Sequence, residues 1–189
     1  MSLAFDPAAS IAVRAALALL LSFAAAHKLR DLAAFRDALR GYELLPVSAV
    51  TSVAVLIPVS EAALAASLAL LGRGGIAVAA LLAVYSAAIA LNLRRGRRGI
   101  DCGCSGPAGR VPLRPALLTR NALLIALALV ATLPAAARPL VWIDAITVPA
   151  AVACAALLYG AVETAFANSS WDERRSPSMS AVPRLGEAR

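Results

Sequence analysis

Two thiols separated by a single glycine, Cys102-Gly103-Cys104, are the residues of this chain best suited to chemistry; they lie in the stretch Asp101-Cys102-Gly103-Cys104-Ser105-Gly106. A pair so close can join into a small ring without moving the rest of the chain. Such a ring departs from relaxed disulfide geometry, which makes it comparatively oxidising and easily exchanged, so it suits electron transfer better than stapling. Arg97 and Arg98 before the pair and Arg110 after it favour the attacking thiolate, while Asp101 opposes it. Redox exchange, metal binding and an inert reduced turn are the three readings the cysteines leave open. Metal binding is limited by supply, because structural zinc takes four Cys or His ligands and the chain has three Cys and one His. No metal ligand is assigned.

Glu61 is the second informative residue, an acid well inside an apolar stretch. Such a group is costly in a bilayer unless it faces protein or water and finds a partner. The stripe Ala54, Pro58, Glu61, Ala65 is small or polar, so this face is expected to point into a bundle. Candidate partners are Arg14, His27, Tyr85, Asn92, Arg120 and Asn121, and the roles open to Glu61 are a structural buried ion pair, a proton relay or a quinone contact. Cys154, on the stripe Asp144, Thr147, Ala151, Cys154, reads as a packing residue, with a resolving thiol as the minority reading. His27 reads as an interfacial anchor, and Asp144 as an acid that snorkels to the interface from a span end.

These residues need apolar elements to hold them. Of the 189 residues 61% are hydrophobic and 15% charged, with mean hydropathy +0.79, too few charges to coat a soluble globule of this size. Crossing about 30 Å of hydrocarbon takes roughly 20 apolar residues in a helix, and the chain offers several such stretches. Rich in Ala and Leu and without strict alternation, they are expected to be helices rather than barrel strands. The expected spans are 10–26, 47–71, 76–93, 116–133 and 140–166, and 27–45 is expected to be an amphipathic interfacial helix with Leu29, Leu32, Phe35, Leu39 and Tyr42 near one face. The Ala24-Ala25-Ala26 end slightly resembles a leader-cleavage site, but no Lys or Arg precedes the span except Arg14 inside it, so a retained span is expected. The fold class is therefore all-α, a polytopic membrane helix bundle of four to five transmembrane helices with an amphipathic interfacial helix after the first span. One domain is expected over 1–167, followed by a disordered polar tail over 168–189.

The net charge of +7 and pI near 10.3 raise nucleic acid as a partner, but most arginines sit close to span ends, and the partner expected is the lipid bilayer. Lys and Arg collect in alternate connections: Lys28, Arg30, Arg36 and Arg40 after the first span, and Arg94, Arg95, Arg97, Arg98, Arg110 and Arg114 around the cysteines. Arg73 and Arg138 stand alone in the intervening turns. By the positive-inside rule this gives five spans, an outer N-terminus and a cytoplasmic cysteine loop.

With these residues in place the chain resembles the methylamine utilisation protein MauE family, which belongs with the DoxX-like membrane proteins. The resemblance rests on His27-Lys28, Phe35, Tyr42, Leu44-Leu45-Pro46, Pro58, Glu61, Asn92-Leu93, Arg95-Gly96, the cysteine loop and Arg120-Asn121, and covers roughly 11–133. It implies a multi-pass protein of the bacterial cytoplasmic (inner) membrane that serves maturation of methylamine dehydrogenase or a related periplasmic protein. It further implies thiol-disulfide exchange by Cys102 and Cys104 with a thioredoxin-like membrane-anchored partner, and as client the methylamine dehydrogenase small subunit or another disulfide-containing protein. The alternatives are a non-catalytic scaffold for that partner, or a quinone-linked DoxX-like oxidoreductase subunit with Glu61 near the quinone. No cofactor is fixed; quinone is the one candidate.

Overall fold

The computed structural model describes residues 5–97, 99–100 and 113–175, with side chains as far as 165. Cys102 and Cys104 lie outside the described residues. Six helices follow in order: α1 Pro7–Arg30, α2 Leu32–Tyr42, α3 Val47–Ala66 continuing through a π-helical turn Ser67–Leu71, α4 Gly75–Arg94, α5 Pro115–Val130 and α6 Asp144–Arg175. Four of them are long and apolar enough to cross a bilayer, and α5 is a shorter apolar helix. The architecture is a helical membrane bundle.

Local chemistry sets the breaks. Asp6 caps α1, its carboxylate accepting from Ala8 N at 2.9 Å and Ala9 N at 3.3 Å, with Pro7 at the first helical position. Asp31 ends α1 and its carboxylate accepts from Ala34 N at 2.9 Å, so the residue that stops one helix starts the next. Glu43, at φ 48°, closes α2 in the left-handed region, and Pro46 precedes α3. Gly72 closes α3 at φ 60°. At Gly75 a Cβ would lie 2.5 Å from Ala128 O and 2.7 Å from Thr132 Cγ2, so only glycine lets α4 and α5 cross this closely.

Packing pairs α1 with α3 and α4 with α5, while α6 lies along α1. One apolar core joins Leu17 and Leu21 of α1, Ala65 and Leu68 of the α3 end, Val78 and Leu82 of α4, and Leu124 and Ala128 of α5. A second core gathers Tyr42, Ile89, Leu113 and Leu117 at the end where α2, α4 and α5 meet. Large apolar side chains such as Phe23, Leu56, Leu70, Val84 and Leu123 face outward, as lipid-facing positions should. Arg14, an arginine inside α1, donates from Nε to Ala131 O at 3.1 Å, and a Cβ on Gly72 would come within 2.9 Å of its Nη1. It therefore caps the C-terminus of α5 beside that of α3, where exposed carbonyls and the helix dipoles favour a cation.

Several expectations are corrected here. His27 to Arg30 belong to α1, so the amphipathic helix starts at Leu32; of the five residues expected on its apolar face only Phe35 and Tyr42 are buried, and Leu29 is half exposed. The last span starts at Asp144 rather than Leu140, because Asp144 is held in place: it accepts from Val141 N at 2.8 Å and from Arg138 Nη1 at 2.8 Å. Its helix runs on to Arg175, into the polar stretch that opens the expected tail. Cys154 is exposed on the outer side of α6 and packs no core, contrary to the packing role expected of it.

Candidate functional site

The cysteine loop is anchored at its base. Leu113 N donates to Ile100 O at 3.1 Å, so the chain before the thiols and the chain after them are joined by a backbone hydrogen bond. Ile100 packs against the cluster of Tyr42, Ile89, Leu113 and Leu117, and its Cγ2 would lie 3.2 Å from a Cβ on Gly41. Arg97, three residues before Ile100, pairs with Glu43 at the end of α2. That guanidinium hydrogen bond, helped by the charges of Arg97 and Arg95, holds the Glu43 carboxyl below its usual 4.5 against the opposing effect of desolvation. Asn92, wholly buried beside this base, donates from Nδ2 to Ala88 O at 3.1 Å, while its Oδ1 accepts no hydrogen bond among the described residues.

Further into the bundle lies a layer of buried polar side chains. Glu61 stands eleven residues before Gly72 and Tyr85 ten after Gly75, so the α3–α4 hairpin brings them level. Lys28 of α1 reaches across and donates from Nζ to both carboxylate oxygens, at 2.6 Å to Oε1 and 2.8 Å to Oε2; the two side chains are 2% and 1% exposed. Tyr85 donates its hydroxyl to Glu61 Oε1 at 2.8 Å. The ammonium also lies 5.5 Å from the Phe35 ring centroid and 5.7 Å from that of Tyr85, so α2 is tied to the same cation. Next to Tyr85, Ser86 accepts from Asn121 Nδ2 at 3.2 Å, and Asn121 Oδ1 accepts from Arg120 Nη2 at 3.3 Å. Arg120 pairs with Glu163 of α6 and stands over the Tyr159 ring at 5.9 Å.

Of the six partners expected for Glu61, Tyr85 is hydrogen-bonded to it. Arg14 caps α5, Arg120 pairs with Glu163 and Asn121 bonds Ser86. The principal partner is Lys28, which in the sequence stands among the charges that follow the first span. The sequence does carry a signal for it: Lys28 continues the spacing of Leu17, Leu21 and Ala25, all buried on one stripe of α1.

A third cluster closes the opposite end. Arg138 donates from Nε to Asp6 Oδ2 at 2.7 Å and from Nη1 to Asp144 Oδ2 at 2.8 Å, while Phe5 pairs with the α5–α6 connection through Phe5 N to Pro134 O at 3.0 Å and Ala136 N to Phe5 O at 2.7 Å. Arg138 holds Asp6 below the usual 3.8, and the two carboxylates together raise Arg138.

An apolar helix bundle with a buried ionic layer, and a backbone hydrogen bond joining the two flanks of the cysteine segment at one end of it, define a helical membrane protein. The chain belongs to the methylamine utilisation protein MauE family, whose model matches residues 6–134. It is 45% identical over 130 residues to the methylamine utilization protein MauE of Paracoccus denitrificans, covering 66% of this chain and 70% of the relative. It is 41% identical over 138 residues to that of Paracoccus versutus (71% and 74%) and 35% identical over 125 residues to that of Methylorubrum extorquens (65% and 67%). No solved structure matches. The matched segment contains Lys28, Glu61, Tyr85, Arg120 and both loop cysteines, and ends before α6.

Proposed function

We propose that the chain is a multi-pass accessory protein of the bacterial inner membrane for maturation of methylamine dehydrogenase or a related periplasmic protein. In this reading Cys102 and Cys104 exchange electrons with a thioredoxin-like membrane-anchored partner, and through it with a disulfide-containing client such as the dehydrogenase small subunit. The observation that carries it is the Leu113 N to Ile100 O hydrogen bond at 3.1 Å, which ties the thiol segment to a packed end of the bundle. The methylamine utilisation proteins to which the chain is similar supply the context.

The exchange balances without another reagent. A thiolate of the reduced pair attacks one sulfur of the partner's disulfide, forming a mixed disulfide and releasing one partner thiolate, which takes up a proton. The second cysteine of the pair, losing its proton, attacks the mixed disulfide. The pair is then a disulfide and the partner a dithiol, two electrons and two protons having passed to the partner; the reverse sequence returns them. Glu61 enters this scheme as frame rather than reactant, since Lys28 and Tyr85 already occupy its oxygens.

The occupation of both Glu61 oxygens by Lys28 and Tyr85 also favours a second reading, a non-catalytic scaffold that docks the same partner. Replacing Cys102 and Cys104 by Ser separates the two. Loss of disulfide formation in the client, read by alkylation gel shift, is expected. Preserved disulfide formation would remove the exchange reading, and quinone co-purifying with the protein would favour the quinone-linked alternative. By the positive-inside rule the loop is cytoplasmic, from where it cannot meet a periplasmic client directly. In this reading the pair therefore reaches into the bundle, passes electrons across it or acts on a cytoplasmic donor, the alternative being a re-entrant loop. A membrane-impermeant maleimide added outside intact cells should leave both cysteines unlabelled. Labelling from outside would reverse that orientation.

A further inference from the structure

Charge is distributed unevenly between the two ends of the bundle. At the thiol-loop end α1 finishes on Arg30, α2 carries Arg36 and Arg40, Arg94, Arg95 and Arg97 end and follow α4, and Arg114 precedes α5. These seven arginines face three described carboxylates, a balance of +4, and each carboxylate is already occupied. Asp31 caps α2, Asp37 pairs with Arg40 at 2.9 Å, and Glu43 pairs with Arg97 under the added field of Arg95. The other end carries Arg14, Arg73 and Arg138 against Asp6 and Asp144, a balance of +1, and Arg14 is engaged with Ala131 O. At the arginine-rich end Arg94 and Arg95 are exposed, and Arg36 is half-buried with its Nε buried and without a hydrogen bond among the described residues. A buried guanidinium N–H is a donor in want of an anion.

We propose that this end of the bundle binds the phosphate headgroups of anionic phospholipid through Arg30, Arg36, Arg94 and Arg95. α2 supplies the geometry. Its buried Phe35 and Tyr42 fix which side faces the bundle, the outer side carries the exposed Arg40, and Arg36 stands half-buried at the flank between them, as at the edge of an interfacial amphipathic helix. The surplus of +4 lies next to helix ends, where basic residues attract anionic lipid at short range, within about one Debye length of the surface. Guanidinium forks also suit phosphate oxygens. The inference does not depend on the chemistry of the cysteines and extends the reading above by naming a lipid class.

The test uses the full chain in neutral detergent, titrated with phosphatidylglycerol or with phosphatidylcholine, bound lipid being counted by native mass spectrometry. Phosphatidylglycerol should bind tighter, and each of Arg94→Gln and Arg95→Gln should weaken it about fivefold, the double variant about 25-fold. Both side chains are exposed, so the variants should fold; an unchanged thermal midpoint without lipid verifies this. Arg73→Gln, at the opposite end with its smaller surplus, should leave the affinity unchanged. Equal affinity for the two lipids, equal weakening by Arg73→Gln, or equal protection by inorganic phosphate at the same concentration would each overturn the proposal. So would full phosphatidylglycerol affinity in the double variant with loss of a protein partner, which would make the patch a protein-docking surface.

Discussion

Lys28 Nζ sits within hydrogen-bond distance of both oxygens of Glu61, although the two residues are 33 positions apart and on different helices. Glu61 is fourteen residues into α3, about 21 Å along its axis, whereas Lys28 is two residues from the end of α1. The C-terminal end of α1 therefore meets the middle of α3, and the ion pair fixes this axial offset. Lipid gives helices no hydrophobic reason to prefer one offset over another, so packing and polar contacts must supply it.

Removing one partner strands a buried charge. Lys28→Met or Glu61→Leu alone should cost about 3–5 kcal/mol, while the double substitution should be near neutral or stabilising, because the desolvation penalty disappears with the pair. A double-mutant cycle on unfolding in detergent measures the coupling. The same double variant tests Glu61 as a reactant. If it folds and still supports client disulfide formation, Glu61 is a frame residue; a folded but inactive double variant would return it to the chemistry.

The clasp at the other end should respond to acid. Arg138 depresses Asp6 below 3.8, so the carboxylate contributes stability that is fully present above about that pH and is lost as pH falls through the lower folded-state value. Hydrogen exchange of Ala136 N and Phe5 N, the two amides that tie the N-terminus to the α5–α6 connection, should accelerate there relative to amides of the core. Arg138→Gln should shift that acceleration to higher pH. An acid profile unchanged by Arg138→Gln would show that the clasp does not hold this end.

The spans were legible because each needs only length and apolarity, and Gly72-Arg73-Gly74-Gly75 and Pro134 mark turns that regular helix does not tolerate. The inward face of α3 was legible too, since Ala54, Pro58, Glu61 and Ala65 recur at helical spacing. Partner choice was not. Whether Glu61 meets Lys28 or Arg120 depends on how far neighbouring helices slide past each other, and that offset emerges only when all the contacts are satisfied together. Lys28 was further masked by His27 and Arg30, charged or polar neighbours that make an apparent span end. The start of α6 was hidden for a similar reason: Leu140 to Ile143 are apolar enough for a span, and only the Arg138 contact reveals that the helix begins at Asp144.

Cys154 supplies a final test that keeps the loop thiols separate from the third cysteine. It is exposed on an α6 segment whose most apolar window has none of its residues buried, and it lies nine residues before Glu163, about 13 Å along the helix axis. Glu163 in turn pairs with Arg120, five residues into α5 and still inside the bundle from the loop base at Leu113. A thiol so placed lies on the outward side of α6, further along the bundle than the Arg120–Glu163 pair. Cys154→Ala should therefore change stability by less than about 0.5 kcal/mol and leave client disulfide formation intact. In the Cys102→Ser, Cys104→Ser background Cys154 should be labelled by a lipid-soluble maleimide and spared by a charged one. A Cys154→Ala variant that folds normally but accumulates a mixed disulfide with the thioredoxin-like partner would instead establish the third cysteine as the resolving thiol.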